Sequence, residues 1–385
     1  MRRALEVSAP LYLDANATEP LRPEARRALT EALDLVGNPS SVHAVGRAAR
    51  CVLEGAREQV AAVLGVASAA VVFTSGATEA NAVALAGAAR QGRRVLASAI
   101  EHDSVLAATA PIDVVPATAQ GMVDLPALRA ALESDPTPAL VAVMAANNET
   151  GVVQPIGEVA ALCRRFGALL HVDAAQIPGR LPLSEILSAG VDSLALSAHK
   201  AGGSKGAGAL VLASGWWPGP LVRGGGQERG LRGGTEPLPA IAGFAAGLLA
   251  AEAWRANGGA ERLAALVGEI AAELRERVPQ AVVVAADAPR LPNTLALALP
   301  AVPAATQVML LDLAGVCVSA GSACSSGKVT ESRVLRAMGL GPLSASTIRI
   351  SLPWNAPEDA AGRFVAAYAA MASRLAARAV EAAAA

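Results

Sequence analysis

Asp173, Ser197, His199 and Lys200 are the residues of this sequence whose types and spacing could do chemistry together. Each stands at the end of a short apolar run. Leu169 to Val172 stops at Asp173, and Asp192 to Leu196 leads into Ser197-Ala198-His199-Lys200. Between the runs, Leu183 to Ser188 has a helical pattern. Two buried strands joined by a helix form a crossover unit, which gathers the polar residues at strand carboxyl ends into one crevice. A lysine at the edge of a buried sheet is costly unless it is paired or used covalently. An aspartate and a lysine so placed suggest a pyridoxal phosphate site, the lysine forming a Schiff base and the aspartate holding the protonated pyridine nitrogen. A structural ion pair at a strand end is the alternative that these residues leave open.

The elements that must position them alternate along the chain. Helical patterns are expected over Pro23–Val36, with Leu29, Leu33 and Val36 on one face, and over Gly46–Leu64. A strand, Ala70–Phe73, runs into Thr74-Ser75-Gly76-Ala77-Thr78-Glu79 and a helix to about Ala89. Strand, glycine turn and helix start make an anion site, since free N–H groups and the helix dipole favour negative charge. Plain N-capping by Ser75 is the simpler reading of the same residues. Further strands are expected at Arg94–Ser98, Asp113–Pro116 and Leu140–Ala145, with helices at Leu125–Leu132 and Ile156–Phe166. Such alternation predicts an α/β fold with a mostly parallel sheet flanked by helices. After Leu212 comes Arg223 to Thr235, rich in glycine and arginine. It suits close approach to a phosphate or another subunit, or serves as a surface linker. Pro237–Asn257 and Glu261–Arg277 read as helices. The remainder, with strands Val282–Ala285, Thr294–Leu299, Val316–Ser319 and Ile348–Ser351, reads as a smaller α+β domain. The expected division is 16–256 for the large domain, with 1–15 and 257–385 forming the small one.

The 385 residues suffice for this two-domain layout, and a net charge of −1 gives no reason to expect nucleic acid or an anionic membrane. The uncharged runs Val60–Thr78 and Leu291–Leu311 are broken by Gly65 and Gly76 and by Pro292, Pro300 and Pro303, so neither reads as a membrane span. The start meets Glu6 before any apolar core, unlike a signal peptide. Cys51, Cys163, Cys317 and Cys324 lack metal-ligand spacing, and a reducing cytoplasm fits them. Cys51, Cys163 and Cys317 lie in patterned segments and are expected in the core. Cys324 differs. Its loop, Ser319 to Lys328, consists of small and polar residues and has no packing use for a cysteine, so a reactive thiol is expected there.

Over nearly its whole length the chain resembles the cysteine desulfurases of the class V aminotransferase group. The resemblance rests on YLDANAT at Tyr12, GNPSSVH at Gly37, FTSGATEAN at Phe73, EH at Glu101, NNETGVVQPI at Asn147 and HVDAAQ at His171. It continues through SAHKAGGSKGAGAL at Ser197, GGGQERGLRGGT at Gly224 and GSACSSG at Gly321, the last like the long-loop branch that supplies sulfur for iron–sulfur clusters. It implies aminotransferase fold type I and pyridoxal 5'-phosphate bound as a Schiff base on Lys200. Asp173 would pair with the pyridine nitrogen, His102 stack on the ring, and Asn148 and Gln176 bond the ring hydroxyl. Ala77 through its backbone, Thr78, Ser197 and His199 would hold the phosphate, with Thr235 reaching in from a second subunit. Arg349, with Asn38 beside it, would bind the substrate carboxylate, and Cys324 would take sulfur from L-cysteine as a persulfide, releasing alanine. No intrinsic metal is implied, though Cys324 can transiently ligate a cluster held with a partner.

The implied partners are a sulfur acceptor or cluster scaffold protein and a second copy of the chain. Ala15, Ser204 and Gln227 depart from the family's common Asn, Pro and His. Two other classes stay in view. A class V aminotransferase or selenocysteine lyase would keep Lys200 without needing Cys324, and alanine release from cysteine separates it. A non-enzymatic cluster-assembly scaffold would lack the visible absorption of a lysine-bound cofactor.

Overall fold

Short buried runs and glycine stops set the element boundaries. The computed structural model describes residues 9–321 and 331–384; Cys324 and its expected loop lie outside the described residues. In chain order, β1 (Leu11–Tyr12) precedes α1 (Pro23–Leu33) and α2 (Ala44–Leu64). Then come β2 (Val71–Thr74), α3 (Ala77–Arg90), β3 (Arg94–Ser98), α4 (Asp103–Leu106), β4 (Asp113–Val115) and α5 (Leu125–Glu133). They are followed by β5 (Ala139–Met144), α6 (Ile156–Phe166), β6 (Leu169–Asp173), α7 (Leu183–Ser188), β7 (Ser193–Ser197) and β8 (Gly208–Leu212). The rest comprises α8 (Leu238–Trp254), α9 (Ala260–Arg277), β9 (Val282–Val283), β10 (Thr294–Ala298) and α10 (Ala304–Leu313). It ends with β11 (Val316–Cys317), β12 (Ser319–Ala320), α11 (Arg333–Ala337), β13 (Thr347–Ser351) and α12 (Ala360–Ala384).

The central sheet has seven strands in the order β2-β8-β7-β6-β5-β3-β4. β7, β6, β5, β3 and β4 run parallel, and β8 is antiparallel to both of its neighbours. Alternate residues of one strand feed different cores. Leu140 and Ala142 of β5 pack with α3, whereas Val141 and Val143 pack with α2, α6 and α8. Helices therefore cover both faces, as a buried parallel sheet requires. A second sheet, β12-β13-β10-β9, is antiparallel, and β1 pairs with β11 beside it. Its core is separate, built from residues such as Leu297, Ile350, Phe364 and Tyr368. No helix among the described residues is long and apolar enough to cross a membrane.

Two sequence expectations fail here. The face of α1 that packs inward is made of Ala25, Ala32 and the half-buried Leu29, while Leu33 is 64% exposed and Val36 lies beyond the helix, 93% exposed. The reason is close helix approach. α8 presents Gly243 and Gly247 to α1, and a Cβ at Gly247 would stand 3.3 Å from the Ala25 Cβ and 2.9 Å from the Gly203 Cα. Glycine on α8 makes room for Ala25 and, opposite Gly243, for Leu29. Among the cysteines expected inside, Cys163 is buried, but Cys51 is exposed on the outer face of α2 and Cys317, on a two-residue strand, is only partly buried.

Candidate active site

A cavity of about 480 Å³ opens where β2, β5, β6 and β7 end. Asp173 is the last residue of β6, Ser197 the last of β7, and His199 and Lys200 sit on the short 3-10 turn that follows. The cavity wall carries Ala77, Thr78, His102, Asn148, Asp173, Gln176, Ser197, His199, Lys200 and Arg349, which the sequence brought forward from widely separated segments. Asn38 and Thr235 do not line it. Asn38 is exposed and spends its side-chain oxygen on the Ser40 N–H at 2.8 Å, and Thr235 is exposed after the glycine-rich segment.

One end of the cavity is built for an anion. β2 stops at Thr74, and α3 starts at Ala77 after the Ser75-Gly76 turn. The first N–H groups of a helix have no intrahelical acceptor and point outward. β8 returns against this turn so closely that a Cβ on Gly208 would lie 2.6 Å from the Gly76 Cα, so only glycine fits there. Glu79 takes the Ser75 N–H at 2.7 Å and the Arg232 guanidinium at 3.1 Å, which ties the turn to the glycine-rich segment. Burial raises the Glu79 carboxyl, but the Ser75 and Arg232 contacts outweigh it and hold the group below the usual range. Lys205 joins the wall at the same end. His199 shares a 2.7 Å hydrogen bond between Nδ1 and the Thr18 hydroxyl. Burial, then Lys200 and Lys205, push its pKa down to about 4, so the ring is neutral and, with Thr18 donating, offers Nε2–H to an acceptor.

The middle of the cavity is flat and aromatic on one side. His102 caps α4. Its Nδ1 accepts the Ser104 N–H at 3.1 Å and faces the Ser104 hydroxyl at 2.9 Å. Its proton is therefore on Nε2, and burial followed by the Lys200 charge holds its pKa below the ordinary histidine value. Asp173 takes the Ala175 N–H at 2.9 Å on one oxygen and the Asn81 amide at 2.8 Å on the other. Gln176 is held by Arg180 Nη1 at 2.9 Å and donates to the Asn16 carbonyl at 3.0 Å. Next to His102, Glu101 is fully buried. One oxygen accepts the Met144 N–H at 2.7 Å, the other has no partner among the described residues, and burial raises its pKa well above the usual carboxylate range.

At the far end Arg349, 2% exposed, projects from β13. Its fork donates to Asp14 at 2.5 Å and to the Asn148 carbonyl at 3.0 Å, while Nε is buried with no partner among the described residues. The wall therefore offers a lysine amine, a carboxylate, a stacking imidazole, helix N–H donors and a guanidinium. That donor set fits a flat ring carrying a phosphate, with room left for a small carboxylate-bearing substrate. Sequence reasoning passed over Asp14, Asn16, Asn81, His171 and Lys205. All five lie inside motifs already singled out, YLDANAT, FTSGATEAN, HVDAAQ and SAHKAGGSKGAGAL, and that was the available signal.

The sequence profile described as Aminotransferase class-V matches residues 11–363. A protein named cysteine desulfurase from Cereibacter sphaeroides is 43% identical over 357 residues, covering 89% of this chain and 90% of that protein. Cysteine desulfurase IscS of Dictyoglomus turgidum is 36% identical, with 89% of each covered. Among solved structures, a NifS-like protein from Rickettsia africae superposes with a TM-score of 0.85 at 33% identity, covering 94% of this chain and 99% of that one.

Proposed function

We propose residue roles for a chain that belongs to the class V aminotransferase family and, within it, to the cysteine desulfurases, which are pyridoxal phosphate enzymes. The observation that carries these roles is the meeting of Lys200, Asp173, His102 and the α3 N-terminus in one cavity with Arg349. The chemistry that pyridoxal phosphate supplies when bound is withdrawal of electrons from the substrate's Cα. Lys200 would hold the cofactor covalently and, as a free amine, would carry the Cα proton. Asp173 faces the pyridine nitrogen and favours its protonated form. His102 stacks on the ring and can hold or pass a proton at Nε2. Asn148 and Gln176 address the ring hydroxyl. Ala77, Thr78, Ser197 and His199 hold the phosphate, and Arg349 receives the substrate carboxylate as a planar fork suits; Asn38, outside the cavity of the single chain, would join it only in the assembled dimer.

Cys324 takes the sulfur. Its thiolate attacks the sulfur of L-cysteine, the Cβ–S bond breaks, an S–S bond forms and Cβ gains a hydrogen. Cysteine and enzyme thiol become alanine and enzyme persulfide, with no outside oxidant or reductant. The persulfide then serves an acceptor or scaffold protein of iron–sulfur assembly in the cytoplasm, and Cys324 can transiently ligate the cluster. The working form is a homodimer in which Thr235 completes the partner's phosphate site. In support, the segments bearing Asn38 and Thr235 are flanked by exposed apolar side chains, Val36 at 93%, Val42 at 86% and Val222 at 49%. Residues 16–256 form the large domain, and 1–15 with 257–385 the small one.

The test is alanine production from L-cysteine by the purified holoenzyme, paired with Lys200→Ala. That variant should lose both turnover and the lysine-bound chromophore. Turnover at the wild-type level in Lys200→Ala would overturn the reading.

A further inference from the structure

Asn81, on α3, is fully buried beneath the cavity and reaches both groups assigned to the ring. Its Nδ2 stands 2.8 Å from Asp173 Oδ2 and 2.9 Å from Ser104 Oγ, and Ser104 in turn faces His102 Nδ1. Its Oδ1 stands 2.9 Å from His171 Nε2, and His171 Nδ1 lies 2.8 Å from Ser193 Oγ. The chemistry of the groups fixes each proton. A carboxylate only accepts, so the Asn81 NH₂ must face Asp173. The Asn81 oxygen then faces His171, whose Nε2 must donate, leaving Nδ1 to accept from the Ser193 hydroxyl. The second Asn81 hydrogen goes to Ser104 Oγ, which leaves the Ser104 hydroxyl hydrogen for His102 Nδ1. Burial pushes the His171 pKa down to about 4, which keeps that ring neutral as the scheme needs.

We propose that Asn81 is a positioning residue: one amide, oriented from below by the His171–Ser193 pair, aims the Asp173 carboxylate and turns the Ser104 hydroxyl onto His102 Nδ1. This deepens the site reading above and rests on it, since it takes Asp173 and His102 to face the ring. The residue touches neither ring nor substrate. It acts through groups that do, and the cost of its loss is a buried Asp173 carboxylate with one hydrogen bond fewer and a His171 imidazole free to choose its tautomer.

The chain has four histidines, His43, His102, His171 and His199, so imidazole ¹⁵N spectra of labelled apoprotein are assignable. At pH 7.5 the wild-type protein should show His102 and His171 as single Nε2–H forms. Asn81→Ala should average the tautomers of His171 while His102, still accepting the Ser104 N–H, stays in its Nε2–H form, and titration of the apoprotein with pyridoxal phosphate should show affinity reduced on the order of tenfold. Ser193→Ala changes one hydroxyl and tests the far end should Asn81→Ala fail to fold. It should average His171 and weaken cofactor binding about threefold. Wild-type His171 protonated at Nδ1, or variants that keep the wild-type spectra and affinity, would overturn the proposal. Asp173→Asn run alongside separates the two readings. Wild-type cofactor affinity in that variant sinks the ring-facing assignment itself, whatever the imidazoles show.

Discussion

Two buried polar networks hold this molecule's functional regions, and they are built on opposite plans. Under the cavity, Asp173 rests on neutral groups: the Asn81 amide, the Ala175 N–H and, behind them, a neutral His171 and Ser193. Under the glycine-rich segment, Glu228 meets the Arg57 guanidinium with two contacts, at 2.7 and 2.8 Å, both side chains almost fully buried. Glu228 also accepts the Phe73 N–H at 2.8 Å, and Arg57 lies over the Phe73 ring. The segment is bent into left-handed backbone at Glu228 and Arg229, with φ of 45° and 57°, conformations that need firm anchoring in non-glycine residues. In the segment the charges satisfy one another and the product is a fixed backbone. In the cavity the carboxylate is aimed by neutral donors, the arrangement the proposed pairing with a cationic ring nitrogen calls for. A charge spent on structure and a charge kept for function can be told apart by what surrounds them.

That contrast breaks most visibly at Glu228. Glu228→Ala leaves Arg57 buried without its main partner, and urea unfolding of the apoprotein should show a loss of about 3–5 kcal/mol. Replacing both partners with apolar residues should recover much of it; a double variant as unstable as the single one would mean that the pair does more than satisfy itself.

The neutral network should show itself through acid. The His171 pKa is about 4 in the folded protein against 6.5 for a free side chain. Between those values the unfolded chain binds more protons, so the contribution is whole above pH 6.5 and lost as pH falls towards 4. It amounts to about 3 kcal/mol at most. His171→Gln should flatten that acid limb of the stability curve; an unchanged limb would place the titration elsewhere.

Asp173→Asn should cost about 1–2 kcal/mol of stability, because an amide meets the Asn81 NH₂ with one acceptor fewer. Its larger effect should be on cofactor retention, tenfold to a hundredfold weaker by equilibrium titration. A variant that unfolded as readily as Glu228→Ala yet kept its cofactor would reverse the contrast. The smallest effect should come at Cys51, exposed on α2, where Cys51→Ser should move stability by no more than about 0.5 kcal/mol in the same urea measurement.

The sheet was legible because its strands are short apolar runs closed by glycine turns, and the site was legible because its residues sit at the ends of those runs. Asp173, Ser197, His199 and Lys200 needed only the rule that crossover units collect polar residues at strand carboxyl ends. What escaped the sequence depends on partners distant along the chain. On α1 only Leu29 of the expected residues meets α8, with Ala25 and Ala32 beside it, because α8 brings glycines against that face, and nothing in Pro23–Leu33 announces that partner. The same limit put Cys51 inside when α2 turns it outward. β8 followed Lys200 within an apolar stretch that gave no sign of its antiparallel direction. Asn81 and His171 looked like an ordinary helix residue and an ordinary strand residue, and Asp14 gave no sign of its pairing with Arg349.

The central claim, that L-cysteine sulfur is delivered to Cys324, is tested most directly by peptide mass spectrometry of the wild-type holoenzyme after brief exposure to L-cysteine. One added sulfur atom should appear on the peptide containing Cys324 and none on those containing Cys51, Cys163 or Cys317, with alanine released in equal amount. Cys324→Ser should bind cysteine and form no persulfide. A persulfide on one of the other cysteines, or normal desulfuration by Cys324→Ser, would contradict the account.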